Sequence, residues 1–161
     1  MTDPVRAFLR HTVATVAYRG AKALRDAPTG FAAYRASQLT RTPLELLAHI
    51  NDLYDWALSI ANNAPGFTVA TPGTWEAEVA RFHAALAAFD ARLATDAPIP
   101  YALERIYQGP IADSLTHIGQ LAMLRRMHGA PIRAESYTAA GIEAGRVGPE
   151  QAPPPPGSEF D

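Results

Sequence analysis

Four stretches of the sequence place apolar residues at three- and four-residue steps, which is the spacing of a helix that buries one face. The first predicted helix follows Thr2-Asp3-Pro4, where a capping residue precedes a proline that suits the first turn, and it ends near Leu24. The second has a stronger start signal, because Thr42-Pro43-Leu44-Glu45 adds a glutamate three residues beyond the cap. This second helix is predicted to end near Asn62.

Two further helices follow the same rules. The third is capped by Thr74 and runs from Trp75 to about Ala94. The fourth lies within residues 109–132, between a Gly-Pro pair at its start and the turn that contains Gly129 at its end. It is apolar on nearly its whole circumference, so we expect it to be covered on every side. Four long helical patterns without a clear strand signal predict an all-α four-helix bundle.

The remaining sequence is a C-terminal extension. Residues 133–161 contain a short predicted helix near residues 136–144 and then a proline-rich tail with four consecutive prolines. We therefore expect one domain, residues 1–132, and an extension that packs on the bundle or trails from it. A spacer or a strap across the bundle is favoured over a ligand for a partner's aromatic groove.

Composition excludes several classes of protein. The 161 residues suit one domain, 48% of them are hydrophobic, and no apolar run approaches the roughly 18 to 20 residues of a membrane span. The N-terminus lacks the basic start of a secretory signal, so we expect a cytoplasmic protein. A net charge of −2 with scattered arginines argues against nucleic-acid binding. Because there are no cysteines, any metal site must use nitrogen and oxygen ligands.

Three polar residues interrupt the apolar helices and form the candidate site. Asp113 and His117 are four residues apart on the fourth helix, so they lie on one face about one turn apart. His49 shares the apolar face of the second helix and is expected to be buried. Taken alone, His49 is a core histidine bonded to a backbone carbonyl or to Asp52. A buried carboxylate and imidazoles must be paired, hydrogen-bonded or metal-bound, and two imidazoles with one carboxylate suit a metal with open positions.

The second and fourth helices also resemble a known family. Their sequences, TPLELLAHINDLYDWAL and DSLTHIGQLAMLRRMHGAPI, resemble the DinB-like superfamily of small metal-binding bundles over most of residues 1–132. That family carries a histidine early in helix two, often followed by a tryptophan, which His49 and Trp56 match. It also carries H-x-x-x-H-x-G-Q on the last helix, and residues 117–120 match its second half. Asp113 stands where the first histidine is expected, which implies a His2Asp site.

The resemblance implies a divalent metal, namely zinc, nickel, iron or manganese. It further implies a metal-dependent enzyme that acts on a small molecule, as a thiol-dependent transferase or with a hydrolase-like activity, and assembly as a homodimer. The alternative is a non-catalytic bundle in which the three residues are structural, with or without a metal. Four other residues are candidates for supporting the metal ligands or contacting a substrate: Gln120, Asp52, Trp56 and Tyr54.

Overall fold

The structure, a computed structural model that describes residues 3–161, is predominantly helical. Its helices are α1 (Pro4–Leu24), α2 (Pro43–Ala61), α3 (Trp75–Leu93), α4 (Leu103–Ile106) and α5 (Ala112–Met127), and a π-helical turn, Tyr107–Ile111, joins α4 to α5. The all-α prediction and the bounds of the first three helices are confirmed. None of the helices in residues 3–161 has the length and apolar content of a membrane-crossing segment.

The starts of α1, α2 and α3 are fixed by side-chain caps. The Asp3 carboxylate accepts a hydrogen bond from the Val5 backbone N–H, and Thr74 caps α3 in the same way. At α2, the Thr42 hydroxyl and the Glu45 carboxylate each accept a bond from the other residue's backbone N–H, which completes a capping box. The predicted starts of these three helices are therefore correct, with Asp3 as the cap of α1; Thr2 lies outside the described residues.

Each long helix packs against two others. Helices α1 and α2 both contact α3 and α5, and the π turn contacts α1 and α2. The apolar faces meet in one core, whose largest fully buried side chains include Tyr54, Phe31, Phe82, Phe89, Leu47, Ile50 and Leu86. This packing places α2 beside α5, which carry the candidate site residues.

The predicted break at Gly109-Pro110 is wrong, because the chain stays helical from residue 103 to residue 127. A proline inside an α-helix removes one backbone hydrogen bond and clashes with the carbonyl of the preceding turn. The wider π turn at Tyr107–Ile111 accommodates Pro110 without ending the helix. Gly109 lies over the ring of Trp56, which a Cβ at that position would approach to 3.7 Å. The turn is thus packed against α2 as well as continuous with α5.

The expectation that the last helix is covered on every side is also wrong for the single chain. One face of α5 is buried through Ile118, Leu121 and Leu124, whereas Met123 and Met127 on the outer face are 55% and 53% exposed. The reason is that the outer apolar residues are flexible methionines that line a surface groove instead of facing another helix. Homodimer formation remains a prediction.

Residues 133–161 return to α1. The predicted helix near residues 136–144 is wrong: only a 3₁₀ turn, Tyr137–Ala139, forms. Two short strands, β1 (Ala134–Glu135) and β2 (Glu159–Phe160), pair antiparallel. The Lys22 ammonium donates to Glu135 at 2.6 Å and to Glu159 at 2.7 Å, and the Tyr18 hydroxyl donates to Glu135 at 2.7 Å. These polar contacts hold both strands against α1.

Replacing Gly20 or Gly119, both in helices, by alanine is expected to change stability in opposite directions. A Cβ added at Gly20 would overlap Cζ of Phe82, which is 1% exposed, whereas a Cβ at Gly119 would meet nothing within 4 Å. We expect Gly20→Ala to lower the free energy of unfolding by about 1 to 3 kcal/mol through overpacking. Gly119→Ala should raise it by about 0.5 to 1 kcal/mol, because alanine is the better helix former.

Urea denaturation of both variants measures these changes. Gly20→Ala combined with Phe82→Leu is the matched control, since the shorter side chain should relieve the clash and recover part of the loss. Equal stabilities for Gly20→Ala and the parent protein would show that α1 and α3 do not approach each other this closely.

Candidate metal centre

Helices α2 and α5 bring His49, Asp113 and His117 together. One ligand atom from each residue lies within 4.8 Å of the ligand atoms of the other two. His49 Nε2 is 3.5 Å from Asp113 Oδ2, and His117 Nε2 is 3.4 Å from Asp113 Oδ1. The carboxylate therefore lies between two imidazoles, and the predicted convergence of these three residues is confirmed.

The three side chains lie at the edge of the core. The side chains of His117 and His49 are 13% and 23% exposed, while the Asp113 side chain is 45% exposed. The expectation of a buried carboxylate is thus wrong: Asp113 is the second residue of α5, and at this helix start its side chain is only partly covered. A cation bound here would be held by protein atoms on one side and would face solvent on the other.

The surroundings of His49 favour its neutral form. Burial lowers the pKa of the His49 imidazole, and electrostatic repulsion from the neighbouring His117 ring and the Arg41 guanidinium lowers it further, against the opposing effect of Asp113. A neutral imidazole is the form that coordinates a metal, because a protonated ring has no free lone pair. The His49 imidazole is therefore available to coordinate a cation near neutral pH.

Gln120 supports one tautomer of His117. Its side-chain oxygen is turned to His117 Nδ1 at 2.8 Å, and because an amide oxygen only accepts hydrogen bonds, this contact favours the tautomer protonated at Nδ1. The lone pair of His117 is then on Nε2, the nitrogen that faces Asp113. This is the arrangement by which proteins orient a histidine ligand from behind.

Removing this support gives a testable prediction. Gln120→Ala is expected to weaken metal binding by about 10- to 100-fold, the range typical when a metal-ligating histidine loses the hydrogen-bond partner of its other ring nitrogen. Gln120 is exposed, so the helix should stay folded. Competition titrations with a chelator measure the effect, and Gln120→Glu, which keeps an accepting oxygen, is the control. Unchanged affinity in Gln120→Ala would mean that the His117 ring is oriented without it.

Asp52 and Tyr54 have other partners. Asp52 is buried, accepts a 2.7 Å hydrogen bond from Arg81 and accepts a 3.2 Å bond from the Ala70 N–H. The Tyr54 hydroxyl is fully buried and shares a hydrogen bond with Ser114 at 3.1 Å. The structure therefore places both residues in the packing between helices, although Asp52 also forms part of the wall of a groove beside His49.

Trp56 lies near the cluster and borders the same small cavity as Asp113. Its ring packs edge-on against Phe67 at 5.7 Å, and Phe67 in turn approaches the His49 ring at 6.4 Å. Phe67 is 47% exposed and comes from the loop between α2 and α3. No periodic signal in the sequence singled out Phe67.

Two grooves meet at His49. The larger, about 640 Å³, is lined by His49, His117 and Gln120 and by apolar side chains of α2, α5 and the loop before α2. The smaller, about 540 Å³, extends from His49 towards Asp52 and Phe67. Arg41 borders both grooves, and sequence reasoning missed it because a single arginine in a loop has no pattern. His49 thus lies where two spaces that small molecules could enter meet, and His117 borders the larger of them.

Comparison of the chain with protein-family models, with curated proteins and with solved structures finds no match in any of the three. Two imidazole nitrogens and one carboxylate oxygen are a donor set that suits zinc, nickel, iron or manganese. The His-Asp-His cluster could hold such an ion.

Proposed function

We propose that the protein is a metal-dependent enzyme of the DinB-like superfamily, built on a four-helix bundle and acting on a small molecule. The observation that carries the proposal is the His49, Asp113 and His117 cluster, whose ligand atoms lie within 4.8 Å of one another beside a groove of about 640 Å³. A thiol-dependent transfer or a hydrolase-like reaction is the chemistry proposed, following the resemblance of α2 and α5 to that superfamily.

Each residue has a distinct part in this proposal. His49 and His117 offer their Nε2 lone pairs, and Asp113 offers a carboxylate oxygen and the one negative charge among the three ligands. A divalent ion at this position supplies positive charge that lowers the pKa of a water or thiol nucleophile. Gln120 holds His117 in the required tautomer through its 2.8 Å hydrogen bond. The apolar groove beside the ligands excludes water from one side of a bound substrate.

The open side of the cluster favours an enzyme over a structural metal site. Structural sites are closed by four protein ligands, whereas catalytic sites keep a position for water or substrate. Here the residues that the structure describes supply three ligands, and the Asp113 side chain is 45% exposed. A purely structural cluster remains the competing outcome of the experiments below.

Elemental analysis of protein purified without a chelating column tests metal binding. We expect close to one divalent ion per chain, and we expect His49→Ala to lose it. If neither the purified protein nor protein incubated with zinc, nickel, iron or manganese retains an ion, the proposal fails.

The open position is tested separately with cobalt. Cobalt-substituted protein should change its visible spectrum when 2-mercaptoethanol is added, because a thiolate can join the open side. A spectrum that does not respond to thiol or to azide would indicate a closed structural site and would contradict the enzyme proposal.

A further inference from the structure

Arg41 is a charged group at the metal centre whose role the proposed function leaves open. It borders both grooves beside His49, and among residues 3–161 it forms no ion pair within 4.0 Å. Its neighbour Arg35 is different, because Arg35 donates to Glu45 at 2.9 Å and its charge is thereby balanced. Arg41 is therefore the unbalanced positive charge at the junction of the grooves.

The larger groove combines this charge with an apolar wall. Leu46 and Leu124 form its buried floor, and the half-exposed side chains of Met123 and Met127 form one side. Leu39, on the loop that carries Arg41, borders the groove and is 98% exposed. Methionine side chains are flexible and adapt to apolar ligands of different shape. A volume of about 640 Å³ is in the range of small-molecule sites.

Charge and shape together define the ligand. A guanidinium presents planar, paired donors that match a carboxylate, and the apolar wall excludes a ligand that is polar throughout. Since Arg35 is balanced by Glu45, one free positive charge fits a single negative charge better than the double charge of a phosphate monoester.

We propose that the larger groove binds an amphipathic monocarboxylate, with its carboxylate on Arg41 and its apolar body along the wall formed by Leu39, Met123 and Met127. Such a ligand lies beside His49 and His117, which border the same groove. As the substrate class of the metal-dependent reaction, this inference rests on the proposed function. As a binding site, it rests on the groove alone.

The methionines allow a direct test. The sequence has three methionines, two of which line the groove, so methionine-methyl NMR of the full chain reports binding at this site. Octanoate and 1-octanol, which share an apolar chain, are titrated into metal-free and zinc-loaded protein. We expect octanoate to shift the Met123 and Met127 methyl resonances saturably. Arg41→Gln should weaken octanoate binding by about five- to ten-fold, the loss expected for a charge-assisted hydrogen bond.

Three controls make the test specific. Arg105→Gln changes the net charge equally, on an exposed arginine of α4 outside both grooves, and should leave octanoate binding within about two-fold, because a distant surface charge is largely screened. Arg41→Lys should retain part of the affinity. The affinity for 1-octanol should be the same in the parent and in Arg41→Gln. Equal losses in Arg41→Gln and Arg105→Gln, equal octanoate binding in the parent and Arg41→Gln, or no saturable shift would each overturn the inference.

The two zinc states separate this inference from the proposed function. If octanoate binding depends on Arg41 in a protein that retains no metal, the carboxylate-binding site is supported and the proposal of a metal-dependent enzyme is contradicted. If octanoate binds only to the zinc-loaded protein and equally well to Arg41→Gln, metal binding is supported and the Arg41 site is contradicted.

Discussion

Replacing Asp113 by alanine is expected to abolish tight metal binding while leaving the helices intact. The carboxylate is the only anionic member of the cluster, and it lies 3.5 Å from His49 Nε2 and 3.4 Å from His117 Nε2. Losing one of three protein ligands should weaken metal binding by well over about 100-fold, which is the upper end of the loss seen when only a hydrogen-bond partner of a ligand is removed. Because the side chain is 45% exposed, the fold should tolerate the change. Chelator-competition titration and circular dichroism measure the two effects.

Two variants frame this result. Asp96→Ala removes an exposed carboxylate outside the cluster and should bind metal as the parent does. Asp113→His restores three ligands and should bind far more tightly than Asp113→Ala. If Asp113→Ala binds metal as tightly as the parent, Asp113 is not a ligand and the His2Asp site is wrong.

Replacing Lys22 by methionine is expected to destabilise the protein by about 3 kcal/mol, the scale of a broken buried ion pair. The Glu135 side chain is fully buried, and the ammonium of Lys22 is the only cation within 4.0 Å of it among residues 3–161. Without Lys22 a carboxylate would remain buried with the Tyr18 hydroxyl as its hydrogen-bonding partner. Urea denaturation measures the change in the free energy of unfolding of the whole chain. Hydrogen exchange at Ser136, whose N–H donates to the Ser158 carbonyl, shows whether residues 133–161 detach first.

The double variant Lys22→Met/Glu135→Gln is the control. A neutral glutamine can still accept the bond from Tyr18, so most of the lost stability should return. If the double variant is less stable than Lys22→Met, the cost does not come from an unpaired buried charge.

The helices were predictable because their signals are local. The apolar period and the caps at Asp3, Thr42 and Thr74 determine where α1, α2 and α3 start, and each signal involves residues within one turn of the others. The continuity at Gly109-Pro110 was not predictable from the same rules, because it depends on a π turn packed against α1 and α2. The pairing of β1 with β2 joins residues about 25 positions apart and has no local signature.

The candidate site was also only partly predictable from the sequence. His49, Asp113 and His117 were identified because polar residues at helical spacing on apolar faces need partners, and the structure brings them together. Asp52 has the same kind of position in the sequence, but its partner Arg81 is on α3, and only the fold reveals that pair. Arg41 and Phe67 belong to loops, whose paths across the molecule follow no periodic rule.

The contacts of Lys22 have a consequence for the chemical reactivity of the protein. Lys22 is the only lysine in the sequence, and its side chain is 13% exposed. Burial alone would lower the pKa of its ammonium, but the hydrogen bonds with Glu135 and Glu159 outweigh this effect and raise it. An amine that stays protonated and enclosed is a poor nucleophile. Acylating reagents and lysine-modifying enzymes therefore find no reactive side-chain amine on the folded chain, and acylation of Lys22 requires residues 133–161 to move away from α1.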